Sequence, residues 1–312
     1  MNATAAMVLC FFCQAGDITF EKSWPEALKK GKEKNGLVLL YFSNDGVKDC
    51  KRFAEETLTK PAVAAAFKGF VVARIDPEGP DEDNFLWQKH GSPGLPILFI
   101  YDGDGAQLAS VLHLGAEYVT ATLGAAPRVY RDKISPGRAA LAKNPEDIDA
   151  LRGLGEAFAA LENDAAAGEN FTKAIDLLEK KGDSNGAIEL MQKMFEAFME
   201  KKWYKALKPV VKRLSDIDPL NRSGLGAKAA WVEGLAACEE RKWQDAIDVL
   251  KPACEKYTDV DFLDKMMFSL ASAYMYSKDK DTALKVFEEI VAKFPESETA
   301  NIAKIQVDKL KR

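Results

Sequence analysis

Histidine is scarce in this 312-residue chain: there are two, His90 and His113. Neither has a second His or a Cys at the spacing of metal ligands, so a zinc site has no support and no metal or other cofactor is expected. Cysteine is sparse as well. The five, Cys10, Cys13, Cys50, Cys238 and Cys254, are scattered in a way that does not resemble a disulfide framework. Charge of one sign is not in large excess. A formal net charge of −5 argues against a nucleic-acid binder that works by neutralising phosphates, while leaving room for a local basic patch. No segment is long and apolar enough to span a bilayer. No Gly-rich phosphate loop follows a strand, and no Gly-x-Ser-x-Gly turn occurs. Carboxylate pairs such as Glu55–Glu56 and Glu239–Glu240 are adjacent on predicted helices, so their side chains diverge and read as solvated faces.

What is present begins with an apolar run over residues 5–13, which contains Cys10 and Cys13 at C-x-x-C spacing. It has the length of a signal-peptide core, and Cys13 and Ala15 put small residues where a signal peptidase reads, with cleavage before Gly16. The segment before it carries no Lys or Arg. Two readings follow: an export signal over residues 1–16, which we favour, or a first β-strand.

The next stretch alternates strand and helix. Ser23, with Pro25 and Glu26 behind it, marks a helix start. Asn35 and Gly36 mark its stop. Leu37–Phe42 is a continuous apolar run of strand length, of the kind buried on both faces. A helix is expected from Lys48 to Leu58, another from Pro61, strands at residues 70–75 and 96–101, a tight turn at 102–105, a hairpin partner over 107–114 and a last helix over 116–123. These elements make a mixed sheet covered by helices on both faces.

From residue 17 to 126 the chain resembles the thioredoxin superfamily, especially its exported thioredoxin-like branch. The resemblance rests on the strand Leu37–Phe42 leading into Ser43, Asn44 and Asp45, and on the Cys50-to-Leu58 helix followed by Lys60, Pro61, Ala62 and Val63. It rests also on the strand ending before Asp76 and on Gly94, Leu95, Pro96 and Ile97 before the hairpin. It implies that Pro96 is the family's cis-proline. A reductase of this fold carries Cys-x-x-Cys at the strand-to-helix junction, where the helix N-terminus favours the attacking thiolate. The aligned residues here run from Val47 to Cys50. Val47 stands at the attacking position and only the resolving thiol, Cys50, is kept. Tyr41 stands where the family has its buried acid, and Gly46 where it has a Trp. Three departures around one centre argue against disulfide exchange. Cys50 is then either a small apolar residue packed under the loop or a single-thiol site for mixed disulfides, with Lys48 and Lys51 favouring its thiolate and Asp49 opposing it.

Residues 127–138 hold two prolines and mixed charge and read as a linker. Beyond them helical periodicity runs to the end, with self-similarity at a fixed spacing. Leu154, Gly155 and Phe158, then Ala167, Phe171 and Ala174, resemble the tetratricopeptide pattern. So do Leu270, Ala271 and Tyr274 with Ala283, Phe287 and Pro295, and less completely Gly234, Ala246, Leu250 and Ala253. Trp203, Ala206 and Pro219 mark a degenerate copy. Residues 139–312 thus resemble about four tetratricopeptide-type helix pairs, enough to bury a continuous core.

Such arrays bind peptides on the face built from the first helix of each pair. The repeat register puts Asp149, Arg152 and Glu156 there in the first pair and Met191, Phe195 and Phe198 in the second. It puts Lys228, Trp231 and Leu235 there in the third, and Lys265, Phe268, Ser272 and Tyr276 in the fourth. The mix is too aromatic and aliphatic for the family's carboxylate clamp and suits a hydrophobic peptide or an amphipathic helix. The alternative is that these side chains are core, above all those of the helix over residues 186–201.

The sequence therefore predicts an α/β thioredoxin-like sandwich followed by an all-α repeat array, in an exported, periplasmic or extracytoplasmic protein (the alternative is cytoplasmic). Its partner is a protein or peptide, with no nucleic acid and no membrane span. The expected peptide-binding residues are Leu95, Pro96, Trp231, Leu235, Phe268 and Tyr276, with no catalytic residue. The alternative is a thiol-dependent redox protein using Cys50. Export has a direct check: N-terminal sequencing of protein recovered from its host gives a start at or near Gly16. An intact Met1 or Asn2 in the mature protein overturns it and restores Cys10 and Cys13 as a candidate pair.

Overall fold

The computed structural model describes residues 18–111 and 113–311. The expected signal segment, with Cys10 and Cys13, lies outside the described residues. The chain divides into two compact units, one running to Lys143 and including Glu156–Asn163, the other made of Asn144–Gly155 and Asp164–Arg312.

The first unit is built on a five-stranded sheet of β1 (Phe20–Glu21), β2 (Leu37–Phe42), β3 (Phe70–Ile75), β4 (Ile97–Tyr101) and β5 (Gln107–Val111). The order is β1-β3-β2-β4-β5. β2 pairs parallel with β3 and antiparallel with β4, so it is central, and all six of its residues are buried. Side chains alternate across it. Val38, Leu40 and Phe42 join a cluster with Trp24 and Leu28 of α1 (Trp24–Glu33) and with Leu86 and Trp87 of α4 (Asp81–Lys89). Tyr41, on the opposite parity, meets Phe53 of α2 (Lys48–Glu56) edge to face at 5.8 Å. α3 (Pro61–Phe67) completes the order before β3. Helix α1 starts as the sequence indicates: Ser23 Oγ accepts from the Glu26 N–H at 3.4 Å, and Asn35, at φ 47°, ends it.

Helix α4 is not foreshadowed by hydrophobic periodicity. None of its residues is fully buried, and Phe85 is 71% exposed. Its start is marked instead by Pro80 and by Asp81, Glu82 and Asp83 in the first turn, where carboxylates meet the positive end of the helix dipole.

The stretch expected as a linker, residues 127–138, is helical. α5 (Ala116–Val129) passes through Pro127 into a π-turn at Tyr130–Ile134 and on into α6 (Ser135–Lys143). Pro127 lacks the N–H that the Leu123 carbonyl would receive, and a widened turn follows directly, a usual way for a helix to absorb that loss. α6 belongs to the first unit through Arg138, whose guanidinium pairs with Asp102 in the β4–β5 turn. Asp102 is 2% exposed and also accepts from the N–H groups of Asp104 at 3.0 Å and Ala106 at 2.9 Å.

The second unit is a stack of antiparallel helices. After α7 (Ile148–Ala160) come α8 (Asp164–Lys180), α9 (Ser184–Glu200), α10 (Tyr204–Ile217), α11 (Gly226–Glu239), α12 (Trp243–Lys256), α13 (Leu263–Tyr276), α14 (Lys280–Lys293) and α15 (Glu298–Leu310). The turn inside each pair is the same. A non-glycine residue in the left-handed region, Glu162, Lys202, Arg241 or Lys278, ends the first helix. The following N–H reaches back five residues, as from Trp203 to Phe198 and from Asp279 to Tyr274, both within 3.0 Å. Close helix contact needs small residues: a Cβ on Gly234 would lie 2.4 Å from Leu250, and one on Gly155 would lie 2.9 Å from the Phe171 ring.

Arg138→Met leaves the Asp102 carboxylate buried with only two backbone donors. Because Arg138 is itself 37% exposed, the loss is expected at about 1–3 kcal/mol rather than the full figure for a sealed pair. Urea denaturation of the single variant against Arg138→Met with Asp102→Asn checks it. The double variant should recover part of the loss.

Candidate functional site

At the end of β2 the chain turns through Ser43, Asn44, Asp45 and Gly46 into α2. Asn44 is buried and its amide is fully engaged. Nδ2 donates to Asp76 at 2.9 Å and to Glu78 at 3.1 Å, while Oδ1 accepts from the Gly46 N–H at 2.7 Å. A Cβ at Gly46 would come 2.8 Å from Asn44 Oδ1, so a larger residue there would have to displace the Asn44 amide from this turn. Arg74 of β3 pairs with Asp45 and reaches Ser43 Oγ at 3.5 Å. Sequence reasoning missed this polar cluster; its signal was Asn44 beside the strand end and Asp76 closing the neighbouring strand.

Val47 is the N-cap of α2, extended at φ −85°, and provides no side-chain cap. Cys50 is 2% exposed, its Sγ 3.5 Å from the Asn44 N–H. Of its two readings, the packed thiol beneath the loop fits this setting. Tyr41 is 1% exposed. Burial, above all, pushes its hydroxyl up to about 12, against the opposing hydrogen bond from Ser43 and the Arg74 charge. It stays protonated at physiological pH and supplies no carboxylate. Cys238 and Cys254 are free, and burial raises both thiols, that of Cys254 to about 12.

The Leu95–Pro96 peptide bond is cis. Both residues wall a cavity of about 400 Å³ whose other side is α2, through Arg52, Phe53 and Glu56, with Leu114 at its edge. Neither Val47 nor Cys50 is among its walls. Among the described residues no group of His, Cys, Asp and Glu is arranged to hold a metal ion.

In the repeats the expected face divides. Met191, Phe195 and Phe198 of α9 are fully buried. Phe198 lies edge to face with Phe171 of α8 at 6.0 Å and with Trp203 at 5.2 Å. They are core, because an apolar arc this wide on one helix is filled by both neighbouring helices of its own unit. In the first pair, Arg152 pairs with Asp149 at 2.9 Å, and Glu156 is exposed. In the third and fourth pairs the rings stay partly open. Trp231 stacks on Phe262 at 5.2 Å and 9°, and its Nε1–H donates to Ser269 Oγ at 3.0 Å. Tyr276 is 59% exposed and stacks on Trp243 at 5.0 Å and 24°. Leu235, half-buried, lies on the same helix as Trp231. Phe268 is half-buried and meets Phe287 edge to face at 5.3 Å, so it leans to the core. Phe262 and Trp243, on which the two partly open rings stack, lie outside the first-helix positions of the repeat register.

A thioredoxin-like family model matches residues 19–103, and tetratricopeptide repeat models match residues 138–193 and 266–297. A solved structure described as DsbH oxidoreductase is 22% identical to this chain, covering 35% of it and 80% of that structure, at a TM-score of 0.26. No curated protein matches. Among the described residues no helix is long and apolar enough to cross a membrane.

Cys50 should resist alkylation by a thiol reagent in the native protein and react fully once the protein is unfolded, read by mass spectrometry. Val47→Cys should allow an intramolecular disulfide with Cys50, since a three-residue step puts both side chains on one face of the first helical turn. A thiol count on the oxidised and reduced variant checks this.

Proposed function

We propose that this chain, a thioredoxin-like domain followed by tetratricopeptide repeats, is a non-enzymatic adaptor that holds a polypeptide through its repeats. The observation that carries the reading is the pair of ring stacks, Trp231 on Phe262 and Tyr276 on Trp243, with Tyr276 left 59% exposed. Large rings that are rigidly held and partly open are the residues that anchor peptides. The cavity beside Leu95 and Pro96 is a second peptide site in this reading. Export, as expected from residues 1–16, belongs to the same proposal and is supported by the sequence alone.

Absence of thiol chemistry is part of the proposal too. What supports it is the set of side chains where a reductase needs reactive groups. Val47 has no nucleophile, Cys50 is 2% exposed, and Tyr41 keeps its proton. A thiol enclosed in this way is poorly accessible to a substrate disulfide.

Two assays test the reading together. In insulin reduction with dithiothreitol the protein should add nothing to the reductant alone; robust turnover lost on Cys50→Ser overturns the non-enzymatic half. Binding of a labelled amphipathic-helix peptide, followed by fluorescence anisotropy, should be abolished by Trp231→Ala with Tyr276→Ala while the melting temperature holds. Phe268→Ala, by contrast, should cost about 2–3 kcal/mol of stability, somewhat below a fully buried Phe. A large loss of stability in the Trp231/Tyr276 variant would make those rings core and remove the binding half.

A further inference from the structure

Helix α15 packs on α13 and α14. On that side Ala300, Ala303 and Val307 are buried, and Leu310 is partly buried against the same core cluster. The opposite side carries Glu298, Ile302, Ile305 and Lys309. Steps of four, three and four residues put these four side chains in one stripe along the helix. Ile302 is 43% exposed and Ile305 53%, and both charged residues are exposed.

The helix dipole accounts for an acid in the first turn and a base in the last, but not for two open isoleucines between them. Neither Glu298 nor Lys309 has an opposite charge three or four residues away in its own helix. The ion pairs nearby, Lys293 with Glu289 and Lys311 with Glu288, use other residues. The remaining charges of α15, Lys304 and Asp308, lie outside the stripe and are opposite in sign. Glu298 and Asp308 thus balance Lys304 and Lys309, and the helix as a whole selects neither an anionic nor a cationic partner. The order along the stripe does select: it reads acid, isoleucine, isoleucine, base. Glu298 stands four residues before Ile302, and Lys309 four residues after Ile305. A twofold axis crossing the helix midway between the isoleucines therefore sets Ile302 of each copy on Ile305 of the other, and Glu298 of each on Lys309 of the other. Parallel pairing would set Glu298 on Glu298 and Lys309 on Lys309.

We propose that the outer face of α15 is a self-association surface, on which a second copy of this chain docks antiparallel with its own α15. The self-complementary charge order is what names the occupant. A foreign amphipathic helix would cover the isoleucines but gives no reason for an acid and a base placed at equal distances from their midpoint. The inference goes beyond the peptide-binding reading of the repeats and does not rest on it. One helix face per copy falls short of the roughly 1,600 Å² buried in a standard interface, so the dimer is weak and reversible. Its two exposed ion pairs act mainly on register and weaken as salt screens them.

Sedimentation velocity of the full chain at low salt, from about 1 μM to about 500 μM, tests it. The average mass should rise with concentration from that of one chain toward that of two. Ile302→Ser with Ile305→Ser should remove the rise, and the melting temperature at the lowest concentration should hold, since both side chains are exposed. Glu298→Lys alone, or Lys309→Glu alone, should weaken association about tenfold or more, because each turns two attractive contacts into repulsive ones. Mixing those two single variants should restore it, since each then supplies the charge that the other lacks. A wild-type chain that stays monomeric overturns the proposal. So does association indifferent to the isoleucine changes, and so does a mixture of the two charge variants that fails to associate. A chain that stays monomeric yet binds an isoleucine-faced helical peptide through Ile302 and Ile305 assigns the face to a different partner and overturns it equally.

Discussion

The first unit depends on the burial of β2 from both sides. Leu37–Phe42 exposes none of its six residues, and its backbone is hydrogen-bonded to β3 on one edge and β4 on the other. A strand held that way cannot slip by one residue without turning Tyr41 and Phe42 to opposite layers. Its end is therefore a fixed point, and so is the start of α2. The fold delivers residues 43–50 to one place whatever they are, and their chemistry decides what the place can do. Here it is closed by an amide: Asn44 joins the turn to Asp76 and Glu78 and sets its own N–H over the Cys50 sulfur.

What was legible in the sequence follows from how each element is stabilised. β2 and β3 show as apolar runs because both faces are covered. The paired helices show because small residues recur where backbones approach, as at Gly155 and Gly234. Helix α4 did not show, because its start comes from Pro80 and three carboxylates and its packing from only part of one side. The α5–α6 segment was misread because two prolines suggest a break, whereas a π-turn and the Arg138–Asp102 pair carry the helix through. That pair joins residues 36 apart, a distance at which local pattern carries no information.

The site was legible to the same extent. Val47, Cys50, Tyr41, Leu95 and Pro96 could be placed by their order along the strand and helix, and the cis bond at Pro96 agrees with that order. The Asn44 network could not be placed, since its acceptors Asp76 and Glu78 lie 32 and 34 residues away in the sequence, just past the neighbouring parallel strand. In the repeats the register marks which positions of each first helix share a face, but not how much of that face a neighbouring helix covers. Burial therefore separated Phe195 and Phe198, which are sealed, from Trp231 and Tyr276, which are not.

That separation has a physical logic within the repeats themselves. A ring on a first helix is sealed when its neighbours present complementary bulk, as Phe171 and Trp203 do for Phe198. It stays partly open when its neighbours cover only part of it. Trp231 is held by the Phe262 ring, by Ser269 on its indole and by the core cluster it packs against, while Tyr276 is held by the stacked Trp243 ring. Partial support of this kind restricts rotamers without covering the whole ring. Such a ring has already lost much of the conformational freedom that binding would otherwise remove, and it still has apolar area left to bury. A fully sealed Phe has no area to offer, and an unsupported one would lose more entropy on binding. The partly open stacks of the third and fourth pairs thus meet both requirements of the anchor proposed above, whereas the second pair has a filled core.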